Sequence, residues 1–263
     1  MATGAGIGPE VSRVGRWLAG TQRIAVLTGA GISTESGIPD FRGPQGVWTR
    51  DPEAARLFHI DSYVADPDVR RRAWLNRRDH PAWHAEPNAG HRALVELERS
   101  GRLLAIVTQN IDGLHQRAGS DPDNVIEVHG TIHEVVCLSC EQRTPMRAAL
   151  DRVAAGEPDP PCLACGGILK SATISFGQPL DRDALSRAFR VAADAEVLLA
   201  VGTSLQVYPI AGMVDVARDA GARIVIINAE PTPYDPVADA VLREPIGTVL
   251  PALVTVALAE AGD

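Results

Sequence analysis

The 263-residue sequence lacks long hydrophobic runs, and this absence argues against a membrane protein. No window approaches the roughly 18 uninterrupted apolar residues that a membrane-spanning helix requires. Residues 1–10 contain neither the basic segment nor the apolar stretch of a secretory signal. Internal repeats and low-complexity tracts are missing as well. The sequence therefore predicts a globular cytoplasmic protein with one large domain, or a core with a small satellite.

Lysine is almost absent, since Lys170 is the only lysine among 25 basic residues. We interpret this arginine excess as the mutational bias of a GC-rich genome, so single arginines carry little information about binding. The net charge of −8 argues against nucleic-acid binding, because proteins that bind nucleic acid usually present a basic face. The run Arg70–Arg72 is interpreted as a solvated helix face. We expect no nucleic-acid partner and no membrane partner.

Cysteine is scarce, and all four cysteines lie in two Cys-x-x-Cys motifs separated by 21 residues. Two such motifs present four thiolates to one tetrahedral Zn²⁺ ion, a closed site that predicts a structural metal. A reducing cytoplasm argues against disulfides, and neither motif opens a helix after a strand as a redox pair does. The residues between the two motifs are acidic, which argues against a zinc ribbon that binds nucleic acid. The predicted ligands are Cys137, Cys140, Cys162 and Cys165.

Strand-like and helical patterns alternate along much of the chain. This alternation predicts an α/β fold, a Rossmann-like parallel sheet with helices on both faces. The predicted strands are Ile24–Thr28, Leu103–Thr108, Val125–Val128, Val197–Val201 and Arg223–Asn228, and the predicted helices are Pro9–Leu18, His91–Ser100, Ala184–Ala193 and Met213–Ala220.

Two segments interrupt this alternation. Residues 44–87 are rich in Pro, Trp, Arg and His without a strand pattern, which predicts a helical insertion. Residues 134–168 hold the four cysteines and no long apolar run, which predicts a small zinc-binding module. The remaining residues, 1–43, 88–133 and 169–263, are assigned to the Rossmann-like nucleotide-binding domain.

The first predicted strand runs into a glycine-containing turn. Gly29-Ala30-Gly31 lets the backbone approach a pyrophosphate, with the N-terminus of a following helix to bind it. Gly-x-Gly also occurs in tight turns that bind nothing. The cluster Asp40-Phe41-Arg42 adds a carboxylate, a ring and a guanidinium about ten residues on. Together the two features predict a loop that acts on a bound nucleotide.

Polar residues also follow two later strands, where ligands bind in doubly wound sheets. Gln109, Asn110 and Asp112 offer partners for a carboxamide or a sugar hydroxyl, although Asp112 alone equally suits a helix cap. His129 follows the strand Val125–Val128 and is predicted to act as a general base. His133 is the competing candidate, interpreted as a surface or packing residue beside the first cysteine motif.

Together these motifs resemble the sirtuins, the NAD-dependent protein lysine deacylases, in their bacterial form. The resemblance covers about residues 20–257 and implies a deacetylase that consumes NAD, holds one structural Zn²⁺ and acts on acylated lysines of other proteins. The motifs that carry it are Gly29–Ser33, Gly37–Arg42, Gln109–Asp112, His129-Gly130, the four cysteines, Gly202–Ser204 and Asn228-Ala229-Glu230.

The resemblance also implies the site residues. NAD would contact Gly29, Ala30, Gly31, Asp40, Phe41, Arg42, Gln109, Asn110, Ile111, Asp112, Gly202, Thr203, Ser204, Asn228, Glu230 and Ile246. The catalytic residues would be Arg42, Asn110, Asp112 and His129. The acyl-lysine substrate would contact Trp74, Arg77, Phe176, Gly177 and Val207, with the peptide held between Phe176-Gly177 and Leu205–Val207.

The reaction implied by the resemblance begins when the acyl oxygen of the modified lysine displaces nicotinamide at C1′ of the ribose. His129 then takes a proton from the ribose hydroxyls, so that the 2′-oxygen attacks the resulting O-alkylimidate. The products are lysine, nicotinamide and O-acyl-ADP-ribose.

Two positions depart from the family's patterns. Trp74 and Arg77 stand where sirtuins that remove succinyl or malonyl groups carry Tyr-x-x-Arg, and Gln178 replaces a frequent Glu. The alternatives left open are a preference for succinyl or other acyl groups and protein mono-ADP-ribosyltransfer. A non-catalytic NAD-sensing module and an NAD dehydrogenase fit less well, because the catalytic set is present and a closed four-cysteine site is not expected of a dehydrogenase.

Overall fold

The structure is a computed structural model that describes residues 8–43, 46–50 and 57–260, without the side chains of residues 48 and 50. The helices are α1 Pro9–Ala19, α2 Val47–Arg50, α3 Ile60–Ala65, α4 Pro67–Arg78, α5 Ala89–Arg99, α6 Leu114–Ala118, α7 Met146–Ala154, α8 Arg182–Asp194, α9 Met213–Asp219 and α10 Ile246–Ala259. The strands are β1 Ile24–Thr28, β2 Leu103–Thr108, β3 Val125–Glu127, β4 Gly130–Cys137, β5 Arg143–Pro145, β6 Leu169–Thr173, β7 Val197–Val201, β8 Arg223–Ile227 and β9 Ala240–Leu242.

A parallel six-stranded sheet in the order β3-β2-β1-β7-β8-β9 forms the core. Residues from α1, α5 and α10 pack on one face, and residues from α8 and α9 pack on the other. Both faces of the central strands are covered, which explains their uninterrupted apolar sequences. The predicted α/β fold is confirmed, and the strand order reverses between β1 and β7, where such sheets bind ligands.

A second, antiparallel sheet of order β5-β4-β6 carries the cysteine region. Helix α7 packs against it and buries Met146, Ala149 and Val153. The sequence signalled a small module here but not its strands, because β4 and β6 mix polar with apolar residues and β5 has only three residues. Since β4 begins at Gly130 and β6 ends at Thr173, this sheet extends past the predicted boundaries of 134 and 168. The division into domains stays a prediction.

The predicted insertion is helical where the structure describes it, through α2, α3 and α4. Asp66 caps α4 by accepting a hydrogen bond from the backbone N–H of Asp68 at 2.9 Å. The backbone of Phe176 pairs with this region, accepting from the N–H of Ile60 at 3.0 Å and donating to the carbonyl of Phe58 at 2.8 Å. Parts of the assigned segments, at residues 1–7, 44–45, 51–56 and 261–263, lie outside the described residues.

Several elements differ from the sequence-based assignment. Val128 and Asn228 lie just beyond their strands, and β9 and α10 were not predicted. The sequence did not predict helix α10, because it contains Gly247, the internal Pro251 and several β-branched residues, which all disfavour a helix in isolation. Tertiary packing overrides those propensities, since Leu250 and Leu253 are fully buried. Among the described residues, no helix is both long and apolar enough to cross a membrane.

Candidate functional site

A cleft of about 1450 Å³ opens at the carboxyl ends of β1, β2, β7 and β8. Parallel strands bring the residues that follow them to one edge of the sheet, which is why segments far apart in sequence meet here. Every residue predicted to contact NAD lines this cleft: Gly29, Ala30, Gly31, Asp40, Phe41, Arg42, Gln109, Asn110, Ile111, Asp112, Gly202, Thr203, Ser204, Asn228, Glu230 and Ile246.

Two glycine turns meet at the centre of the cleft. The N–H of Gly31 donates to the carbonyl of Gly202 at 2.8 Å, and a Cβ on Gly31 would lie 2.7 Å from the Gly202 Cα. Gly202 has φ +62°, a conformation that side chains disfavour. The glycines therefore allow two backbones to touch and leave the space above them for a ligand. The segment after β1 is a 3-10 helix, Ala30–Ser36, where a helix N-terminus was expected.

Asn110, Ser33 and Asp112 form a buried hydrogen-bonded group in the cleft. The Asn110 side-chain Nδ2 donates to the Ser33 hydroxyl and to the carbonyl of Gly29, both at 3.1 Å. Ser33 Oγ then donates to Asp112 Oδ2 at 2.7 Å, and the Leu114 N–H donates to Asp112 Oδ1 at 3.0 Å. Burial raises the pKa of the Asp112 carboxyl, while these donors oppose the shift. The group presents a fixed amide and carboxylate to any ligand.

Gln109 ties the ends of two strands together beside that group. Its Nε2 donates to the Thr203 hydroxyl at 2.9 Å and to the Thr28 carbonyl at 3.3 Å. These bonds hold the segments after β1, β2 and β7 in one arrangement. The side-chain carbonyl of Gln109 is left to accept from a ligand hydroxyl.

His129 lies in the cleft wall directly before β4. Its Nδ1 contacts the carbonyl oxygen of Gln109 at 3.0 Å, and since a carbonyl only accepts, Nδ1 carries the proton. Nε2 is therefore the basic nitrogen of the neutral ring. Burial lowers the pKa of His129, and the hydrogen bond to Gln109 partly opposes this effect. The residue has the protonation state that a general base needs near neutral pH.

His133, the competing candidate, does not line the cleft. Its Nε2 lies 3.0 Å from the carbonyl oxygen of Asp112 and donates to it, and its ring meets Trp83 edge to face. A nitrogen that donates to a carbonyl cannot also accept a substrate proton. The packing interpretation of His133 fits this geometry.

Four of the five residues predicted to contact substrate line the cleft: Arg77, Phe176, Gly177 and Val207. Trp74 does not, because it is 1% exposed and packs with Val135 and Met146 in the core of the cysteine module. It lines only a small side cavity of about 40 Å³, together with Arg77 and Lys170. A contact between Trp74 and substrate stays a prediction, and this position does not favour it.

The four cysteine sulfurs lie within 4.8 Å of one another. Cys137 and Cys165 have sulfurs 3.5 Å apart, and those of Cys140 and Cys162 are 3.8 Å apart. Tetrahedral coordination with Zn–S bonds of about 2.3 Å requires sulfurs about 3.8 Å apart, whereas a disulfide requires about 2 Å. Backbone N–H groups of Cys140 and Ser139 lower the pKa of the Cys137 thiol to about 6, which favours the thiolate. The donor set fits one Zn²⁺ ion with no position left open.

The Sir2 family model matches residues 29–209 of the chain. The chain belongs to the Sir2 family. The resemblance seen in the sequence is thereby confirmed, and the matched segment includes His129, the Asn110 group and all four cysteines. Asn228, Glu230 and Ile246 lie beyond it and join the Sir2 cleft only through the tertiary structure.

Relatives of this Sir2 protein match it over most of their length. NAD-dependent protein deacetylase 2 of Streptomyces coelicolor is 56% identical over 90% of this chain and 98% of its own. NAD-dependent protein deacetylase 1 of Pyrobaculum aerophilum is 46% identical over 93% of each chain. A Sir2 histidine-to-alanine variant solved with a deacetylated p53 peptide and 3′-O-acetyl ADP-ribose superposes with a TM-score of 0.86, at 32% identity, covering 94% of this chain and 98% of that one.

Two contributors to this Sir2 site were missed by the sequence analysis. Ser33 was quoted in the first glycine motif without a role, yet it links Asn110 to Asp112. Its only sequence signal was its place four residues after Gly29. Lys170 was read only as a compositional oddity, although it is 3% exposed beside the cleft. A single buried lysine has no signature in a sequence.

Proposed function

We propose that this Sir2 protein is an NAD-dependent protein lysine deacetylase. The observation that carries the proposal is that one cleft combines a neutral His129, basic at Nε2, with the hydrogen-bonded group of Asn110, Ser33 and Asp112. The relatives named deacetylases support the same activity. NAD would supply the ADP-ribose that accepts the acyl group, so it is consumed as a co-substrate.

The residues fit NAD along the whole cleft. The glycine turns that follow β1 and β7 line the cleft and would hold the phosphates. Asn228 and Glu230 follow β8 and suit an adenosine ribose, while Ile246 offers an apolar surface to the adenine. Asn110 and Asp112 would hold the nicotinamide carboxamide, because amide and carboxylate groups are complementary to it. Asp40, Phe41 and Arg42 would cover the reacting ribose.

His129 and the rim of the cleft would handle the rest of the chemistry. His129 accepts at Nε2 a proton from a ribose hydroxyl, which makes that oxygen nucleophilic towards the acyl carbon. Phe176, 44% exposed, stands with Gly177 and Val207 at the entrance for an acyl-lysine peptide. Because Phe58 and Ile60 already engage the backbone of Phe176, a peptide strand would pair with the neighbouring residues. One structural Zn²⁺ and a cytoplasmic location complete the proposal.

The test is nicotinamide release with an acetyl-lysine peptide at saturating NAD, compared between the wild type and His129→Ala. We expect the wild type to release lysine peptide and nicotinamide in equal amounts and the variant to lose at least about a hundredfold in kcat. His84→Ala is the matched control and should keep its turnover, because His84 is exposed and does not line the cleft. No release from any acyl peptide by the wild type would refute the proposal. Protein-bound ADP-ribose in place of deacylation would favour the transferase alternative.

A second activity, removal of acyl groups that end in a carboxylate, is favoured by two basic side chains, the part-buried Arg77 in the cleft and the buried Lys170 beside it. Arg77 lines the cleft and donates to the Thr173 hydroxyl at 3.2 Å, and burial lowers its pKa to about 10. Burial likewise lowers the pKa of Lys170 to about 7. In the described part of the chain, neither cation forms an ion pair with a carboxylate. A succinyl carboxylate would supply the missing anion.

This second activity is tested by comparing succinyl-lysine with acetyl-lysine peptides. We expect Arg77→Met to lower kcat/KM for the succinyl peptide at least about tenfold more than for the acetyl peptide. Arg78→Met is the control, because Arg78 is exposed and pairs with Asp79 at 2.7 Å. Equal losses on both peptides would mean that Arg77 supports the fold and does not select the acyl group.

A further inference from the structure

A line of buried polar side chains runs behind the cleft, outside the residues assigned to the reaction. Thr28 and Thr108 are the last residues of β1 and β2 and lie side by side in the sheet. Their hydroxyls are 2.8 Å apart, and the Thr108 oxygen accepts from the backbone N–H of Asn110 at 3.0 Å. On the other side, Nε2 of His115 lies 3.0 Å from the Thr28 hydroxyl. All three side chains are at most 2% exposed.

A second buried histidine, His91, packs against the first. The ring centroids of His91 and His115 are 5.0 Å apart, and His91 is 0% exposed. Its Nδ1 accepts from the backbone N–H of Asn88 at 3.3 Å, as part of the cap of α5. The Asn88 side chain in turn donates to the carbonyl of Ile32 at 2.7 Å. The line therefore joins the segment after β1 to Asn110.

The contacts determine the tautomer of each ring. A nitrogen that accepts from an N–H cannot be protonated, so His91 carries its proton on Nε2. Because Thr28 donates to Thr108, its oxygen accepts from His115, which therefore carries its proton on Nε2 and has a basic Nδ1. Burial keeps both rings neutral, because it lowers the pKa of His91 to about 4 and that of His115 to about 3.

The two nitrogens left over are complementary. Within the described part of the chain, only His91 Nε2 and His115 Nδ1 of these two rings have no hydrogen-bond partner. One is a donor and the other is an acceptor. Leaving a buried polar atom unsatisfied is unfavourable, and no direct bond joins these two nitrogens, so a link through one buried water is favoured.

We propose that His91, His115, Thr28 and Thr108, with one buried water between the two imidazole rings, form one directed hydrogen-bond chain that positions Asn110 for its work in the cleft. The chain starts at the Asn88 N–H and ends where Thr108 accepts from the Asn110 N–H. It holds the backbone of Asn110 while the side chain of that residue bonds Gly29 and Ser33. The four side chains do not line the cleft, so they are positioning residues. The proposal rests on the role of Asn110 in the proposed function.

The kinetic test distinguishes the effect of losing the hydroxyl from the effect of changing the volume of the side chain. Thr28→Val and Thr108→Val keep the shape and remove the hydroxyl, whereas Thr28→Ser and Thr108→Ser keep the hydroxyl and remove a methyl group. We expect the valine variants to lose about fivefold to tenfold in the kcat of nicotinamide release with little change in the KM of the peptide. The serine variants should stay within about twofold of the wild type. Thr21→Val, which removes the buried hydroxyl that bonds Glu196, is the matched control.

Equal losses in the serine and valine variants would overturn the proposal, because a packing role does not distinguish a hydroxyl from a methyl group. Nitrogen NMR of the two imidazole rings gives a readout without turnover. Both rings should be neutral at pH 7, with protonated Nε2 and unprotonated Nδ1. A charged ring, or a proton on either Nδ1, would also overturn it. If the wild type turns over no acyl peptide, the proposed function fails. The NMR measurement of the two tautomers still tests the hydrogen-bond chain in that case.

Discussion

His129 Nδ1 donates to the main-chain carbonyl of Gln109 across 3.0 Å. This hydrogen bond connects the segment that follows β3, which contains His129, to the segment that follows β2, which contains Gln109. It also determines which ring nitrogen carries the proton, since the carbonyl has no proton to give. The basic Nε2 is thereby prepared before substrate binds, and the imidazole does not need to change its tautomer during turnover.

The first prediction concerns the pH profile of deacetylation. Because burial holds the pKa of His129 below the ordinary 6.5, the ring stays neutral to lower pH than a free imidazole does. The acid limb of kcat/KM should therefore fall below pH 6.5, with activity constant above it until another group titrates. Steady-state rates from pH 5 to 8 measure this. An acid limb above pH 6.5 would contradict the assignment of His129 as the base.

The second prediction concerns Ser33, which bridges Asn110 and Asp112. Ser33→Ala removes one donor to a buried carboxylate and one acceptor from a buried amide. We expect the kcat of nicotinamide release to fall by about tenfold, and the KM of the peptide to stay within about twofold. Ser100→Ala, which removes a hydroxyl that bonds only the Leu97 carbonyl, serves as control. An unchanged kcat would show that the bridge does not matter to catalysis.

The third prediction concerns the metal. Cys162→Ser should lose the bound zinc and lower the unfolding temperature, because the sulfur of the buried Cys162 is one of four that close the site. Leu163→Ser is the matched control, since Leu163 lies in the same motif but is 86% exposed. Metal analysis and thermal unfolding measure both effects. Full zinc content in the Cys162 variant would refute the four-cysteine site.

The fourth prediction concerns stability in acid. His91 and His115 are neutral when folded, with pKa values of about 4 and about 3, whereas an unfolded histidine titrates near 6.5. Below pH 6.5 the unfolded state binds protons that the folded state does not, so the free energy of unfolding falls as the pH falls. At pH 5 each histidine should cost about 2 kcal/mol relative to pH 7.5.

Urea unfolding at the two pH values measures this difference. His115→Gln should reduce the pH dependence, although it lowers stability at both values. A wild type equally stable at both pH values would rule out buried neutral histidines.

Much of the fold was predictable because its signals are local. The central strands are continuous apolar runs, and the cysteine spacing alone indicates a four-sulfur site. The strands around the cysteines and the helix α10 were not predictable, because the sheet β5-β4-β6 and the core face supply the stability that their sequences lack.

The sequence by itself brought Gly29–Gly31, Gln109–Asp112 and Gly202–Ser204 together, since each of these motifs follows a strand of a parallel sheet and such strand ends share one edge. The tertiary structure alone decided what each side chain does there. Trp74 packs in the core of the cysteine module, where its apolar surface is buried. His133 donates a hydrogen bond to the carbonyl of Asp112. Ser33 became a bridge between Asn110 and Asp112. Such roles depend on partners tens of residues away, and burial and hydrogen-bond complementarity select those partners only once the chain is folded.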